Sequence, residues 1–175
     1  QTPRSGHIAN PGIGQHQRGP ARRRDAYRIV DSVAVIPITG TLIHRGSWVG
    51  SNSGETSYEG IGAQIAAATE DSFVRGIALE IDSHGGEVAG CFDLADRIRE
   101  ARTHKPIQAF VADHAFSAAY ALASQADRVF VPRAGGVGSI GVICLHADHS
   151  QQLSDMGIRI TVISAGERKG DGNPY

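Results

Sequence analysis

Short runs of β-branched residues alternate along this chain with segments whose apolar positions recur every three or four residues. Ser32–Thr39 is a β-rich run that predicts a strand ending at Gly40. Residues 44–57 are rich in Gly and Ser and read as a loop, a lid or the edge of a groove. Tyr58, Ile61, Ile65 and Ala68 then fall at helical spacing. Arg75–Asp82 predicts the next strand, with Ser83–Gly86 as its turn, and Val88, Cys91, Leu94, Ala95 and Ile98 line one face of the following helix. Ile107–Val111 predicts a strand leading into a small-residue helix around Ser117. Further strands are expected near 128–131, 138–145 and 158–163, with a helix near 149–156 between the last two. Strand and helix alternating at this pace predict an α/β fold with mainly parallel pairing.

At 175 residues the chain suits one domain, here 27–175, large enough to bury a core. Residues 1–26 form a basic arm, with Arg4, Arg18, Arg22, Arg23 and Arg24 amid Gly and Pro, and read as disordered. A net charge of −1 and a pI near 6.8 argue against a nucleic-acid binder. Cys91 and Cys144 sit in apolar stretches without metal-like spacing and are expected to be buried free thiols in a reducing compartment. No run approaches the roughly 18 apolar residues of a membrane span.

The candidate chemistry lies between residues 82 and 175. Ser117 opens a helix directly after a strand, where free N–H groups and the positive end of the dipole favour an anion. The surrounding Ser-Ala-Ala-Tyr-Ala-Leu-Ala fits a tightly packed helix equally well. Asp82-Ser-His-Gly-Gly-Glu87 closes a strand with paired glycines that can expose backbone N–H groups, as an oxyanion hole requires. The donors expected are the N–H groups of Gly86 and Ala118. Gly136, Gly138 and Gly141 spell a G-x-G-x-x-G, but the next residues, Val142–Leu145, read as strand and the position about 20 residues on is Thr161, which disfavours a dinucleotide site. Lysine is scarce: beyond Lys105 there is only Lys169, in Ser164-Ala-Gly-Glu-Arg-Lys-Gly-Asp-Gly-Asn-Pro-Tyr175.

The combination of Asp-Ser-x-Gly-Gly, Ser-Ala-Ala-Tyr, Gly-Ser-Ile-Gly-Val and the segment around Lys169 resembles the signal peptide peptidase A family of serine–lysine peptidases. Within it, the pattern is similar to the lambda-type phage and prophage head maturation proteases, over about Val33 to Tyr175. The resemblance implies a Clp protease/crotonase-like fold of stacked ββα units. It implies Ser117 as nucleophile, Lys169 as general base, Ser139 as the hydroxyl that holds the lysine, Gly86 and Ala118 as oxyanion hole, and Gly85 beside the substrate. It implies a polypeptide substrate, capsid or scaffold proteins as partners, a homo-oligomer, and no metal or organic cofactor. A phage protein would work in the host cytoplasm or procapsid, a cellular signal-peptide peptidase at a membrane. His84 stands where the family has Pro, and Ala118 where it often has Gly. The chain ends six residues after Lys169, so a truncated domain is expected.

A lysine in water is a cation near pH 7, its ordinary pKa being about 10.4, so a lysine base must offset about 3–5 kcal/mol by desolvation. The Gly-rich, polar surroundings of Lys169 cannot bury it unaided. Because related peptidases bring serine and lysine together across protomers or repeated domains, Lys169 is expected to become a base on assembly. Three rivals remain: a Ser-His-Asp arrangement through His146 and Asp148, a crotonase-like acyl-CoA enzyme sharing the two-N–H hole, and a silent scaffold. His146-Ala-Asp-His149 lacks further ligands for a metal. A strand shared by Ser139 and His146 would set them on opposite faces, against the first rival.

Overall fold

The β-branched run at 33–38 becomes the strand that organises the sheet. A computed structural model describes residues 27–46 and 54–174; the basic arm, positions 47–53 of the expected loop and Tyr175 lie outside them. Two compact units divide the chain after Ser139. The first holds β1 (Arg28–Val30), β2 (Val33–Ile43), β3 (Glu55–Ser57), α1 (Tyr58–Glu70), β4 (Gly76–Gly86), α2 (Cys91–Ala101), β5 (Ile107–Phe116), α3 (Ala118–Ala123), β6 (Arg128–Phe130) and β7 (Gly136–Gly138). The second, Ile140–Tyr175, holds α4 (Ser150–Asp155).

The sheet runs β1-β2-β4-β5-β6, with β3 beside the far end of β2 and β7 beside the far end of β5. Among the described residues only β1 pairs antiparallel; every other pairing is parallel, as strand–helix–strand crossovers require. Alternate residues of the central strands, including Ile36, Ile38, Leu79, Ile81, Ile107 and Ala109, are fully buried in one core with Ile61, Ile65, Leu94, Ile98 and Leu122 of the helices. Ser57 caps α1, its Oγ accepting the Gly60 N–H at 3.1 Å, which fixes the helix start directly after β3. Truncating Leu79 to Ala should cost about 2–5 kcal/mol, read by denaturant unfolding, because the central strand cannot collapse into the cavity.

Five expectations need correction, the first being the loop over 44–57, whose end forms the strand β3 at Glu55–Ser57. Gly40 does not end β2: the strand continues to Ile43, and Gly40 sits in a bulge between Thr39 and Thr41. Ser83–Gly86 is the continuation of β4, not a turn beyond it. Val88 is exposed and precedes α2, which starts only after Gly90. No strands form at 140–145 or 158–163. Ile143 and Ile163 there are each 95% exposed, and no described residue pairs with them. A β-rich run becomes a strand only when a neighbouring strand takes its N–H and C=O groups.

Candidate active site

Ser83, Gly85, Gly86 and Glu87 are braced from the β2 side. Buried Ser83 donates through Oγ to the Gly40 carbonyl at 2.6 Å and accepts the Gly85 N–H at 3.1 Å. The Glu87 N–H donates to the Leu42 carbonyl at 2.8 Å. Strand amides alternate in direction, so the N–H of Gly86 points away from β2. A Cβ on Gly86 would overlap the Leu42 carbonyl. Tyr58 donates to the Glu87 carbonyl at 2.6 Å, and the Glu87 carboxylate accepts the His44 N–H at 2.6 Å.

Gly85, at φ +99°, is where this segment meets Ser117. A Cβ there would stand 2.8 Å from Ser117 Cβ, 2.9 Å from the Phe116 carbonyl oxygen and 3.1 Å from the Ala118 nitrogen. Only glycine permits both that backbone conformation and that approach. Ser117 itself has φ +51° and ψ −122°, a strained conformation for a residue with a Cβ. Its N–H donates to the Gly138 carbonyl at 2.8 Å and its carbonyl accepts the Ala121 N–H at 3.0 Å. Its half-buried hydroxyl makes no capping hydrogen bond. Ala118 is the first helical residue, whose N–H has no partner within the helix. Ala118, Ala119 and Ala123 are buried, so the small-residue pattern also packs α3 against the sheet.

Ser139 follows the last residue of β7, whose register pairs Phe116 with Gly138. Ser117 and Ser139 are thus the next residues on adjacent strands, and both have positive φ, +51° and +54°. The first unit therefore gathers Gly85, Gly86, Ser117, Ala118 and Ser139 around the ends of β4, β5 and β7. Lys169 belongs to the second unit, exposed, in a turn where its N–H donates to the Gly166 carbonyl at 3.2 Å and Arg168 pairs with Asp171 at 2.9 Å.

The rival readings fare differently. Residues 140–149 form no strand, so Ser139 and His146 do not share one. The Asp148 carboxylate accepts the Ser150 N–H at 2.9 Å, which holds its pKa below the usual range. β7 lies within the G-x-G-x-x-G itself and no helix follows it directly, contrary to a dinucleotide fingerprint. Among the described residues no group of three or more His, Cys, Asp or Glu is placed to hold a metal. His84 and His114, which no sequence motif brings together, stack at 5.0 Å in front of Phe116. Strand periodicity could have paired them, had β4 been carried through to Gly86.

Cys91 is buried with Sγ 3.9 Å from the Ala118 carbonyl, and burial pushes its thiol pKa up. Cys144 is exposed, contrary to expectation, because no strand carries its segment into a core. A maleimide should therefore label Cys144 at once and Cys91 only after unfolding, as mass mapping of the modified peptides will report.

Residues 99–175 match the sequence profile of Peptidase family S49. The head-tail preconnector protein GP5 of Enterobacteria phage P21 is 44% identical over 92% of this chain, and the capsid assembly protease C of Escherichia phage lambda is 42% identical over 96%. The chain spans only 32% and 38% of those two proteins. In fold alone, an enoyl-CoA hydratase/isomerase family member superposes with a TM-score of 0.50 at 14% identity, over 75% of this chain and 51% of that one. That superposition shows an alternating β-α fold shared with the hydratase/isomerase. The profile match identifies the sequence to which the glycine-lined serine belongs: the region 99–175, which holds Ser117 and Lys169, is that of peptidase family S49.

Proposed function

We propose that this chain is the catalytic region of a serine endopeptidase that cleaves capsid or scaffold polypeptides during phage head assembly. Neutral Lys169 takes the proton from Ser117 Oγ, which attacks the scissile carbonyl. The N–H groups of Gly86 and Ala118 receive the oxyanion, each such donor being worth about 2.7–4 kcal/mol in the transition state. Lys169 returns the proton to the leaving amine, and water repeats the sequence on the acyl-enzyme. Ser139 orients the lysine, and Gly85 leaves room for the substrate backbone.

The observation that carries the reading is the approach of Gly85 to Ser117 and the Ala118 nitrogen, which joins a strained serine to a helix-start amide. The capsid setting is supported by the names of the two phage relatives. The exposed, polar turn that carries Lys169 supports a base that is desolvated only when a homo-oligomer forms. The test is hydrolysis of an unfolded protein by the chain beside Ser117→Ala and Lys169→Ala across pH 6–10. Loss in both variants, with wild-type activity rising through a single ionisation, is the expected outcome. Full activity in the lysine variant contradicts the assignment.

A further inference from the structure

Asp82 opens the Asp-Ser-x-Gly-Gly motif but takes no part in the chemistry above. It stands where the β4–β5 ladder breaks: Ile81 pairs with Val111 and Ser83 with Ala115, so Asp82 alone faces Ala112, Asp113 and His114. The bulge falls on β5, just before Phe116 and Ser117. A bulge leaves strand amides unpaired and turns the strand that carries it. Here the Asp82 carboxylate accepts the His114 N–H at 3.3 Å, and the same oxygen lies 3.8 Å from His114 Nδ1. His84 stacks on the His114 ring at 5.0 Å, and Phe116 packs against both, at 5.9 and 5.3 Å. The Phe116 ring in turn covers Gly136 of β7, where a Cβ would come within 2.6 Å of it. One carboxylate and three rings thus tie β4, β5 and β7 together on the sheet face opposite the helices.

We propose that Asp82, acting through His114 and its ring stack, is the positioning residue that sets Ser117 against Gly85. The carboxylate takes the place of the ladder bond that the bulge gives up, so the direction in which β5 leaves the bulge fixes the Ser117 backbone. The kinetic consequence rests on the reading of Ser117 as nucleophile; the structural consequence does not.

The experiment compares the full chain with its Asp82→Ala and Asp82→Asn variants. Asn keeps an oxygen able to accept the His114 N–H. Amide exchange at Ser117, whose N–H is held by Gly138, should accelerate at least about tenfold in Asp82→Ala while exchange at Leu79 in the core stays unchanged. Proteolytic kcat should fall about tenfold with KM held within about twofold, as expected for a misplaced reacting group. Asp82→Asn should restore both. Wild-type exchange at Ser117 in Asp82→Ala overturns the proposal, as does an Asn variant as impaired as the Ala variant. If the parent chain cleaves nothing while Ser117 exchange still rises in Ala and not in Asn, the clamp stands and the peptidase reading falls instead.

Discussion

Replacing Ser117 by Ala will lower proteolysis at least about a thousandfold and leave the fold unchanged, because the residue's chemistry and its structural role are separable. The hydroxyl caps nothing, so its removal should shift stability by no more than about 0.5 kcal/mol. The backbone, by contrast, stores strain at φ +51°, and Ser117→Gly should release about 1–3 kcal/mol of it. The pair therefore makes a sharp contrast: two inactive variants, one with the parent's thermal midpoint and one with a higher midpoint. A glycine variant no more stable than the parent would show that Ser117 is not held under strain.

Adding a single methyl group at Gly85 should be nearly as damaging to activity, for a different reason. The new Cβ would press on Ser117 Cβ and on the Phe116 carbonyl within 2.9 Å, and none of these atoms belongs to a flexible side-chain tip. Alanine is also strained at φ +99°. Gly85→Ala should cost about 2–4 kcal/mol and, by moving β4 away from Ser117, lower kcat at least about a hundredfold. Gly86→Ala overlaps the Leu42 carbonyl and forces β2 and β4 apart, so it should lose more stability than Gly85→Ala. Chemical unfolding of the two variants, with kinetics on whatever remains folded, gives the order.

Local pattern carried most of the fold because the first unit obeys it. The alternation in β2 and β4 and the helical spacing of Tyr58, Ile61, Ile65 and Ala68 each match a buried face. Where the pattern failed, the cause lay outside the segment. Gly40 and Ser83–Gly86 read as strand ends, but the parallel neighbours on β2 and β4 carry both strands through. The runs at 140–145 and 158–163 have strand composition without a strand partner, and composition cannot report a partner. For the candidate site, the glycine pair and Ser117 could be named from the sequence since each has a local reason. The clamp was legible only in part: carrying β4 through to Gly86 sets His84 and His114 on one face, but the Asp82 contact depends on a bulge that shifts β5 relative to β4, which no local pattern reports.

Every kinetic prediction above depends on the proposal that Ser117 is a nucleophile activated by Lys169. Its most direct test is reaction with a fluorophosphonate, which forms a stable bond to an activated serine oxygen, followed by peptide mass mapping. One adduct is expected, on Ser117, absent from Ser117→Ala and formed far more slowly in Lys169→Ala. An adduct on another serine, or equal labelling without Lys169, would contradict it.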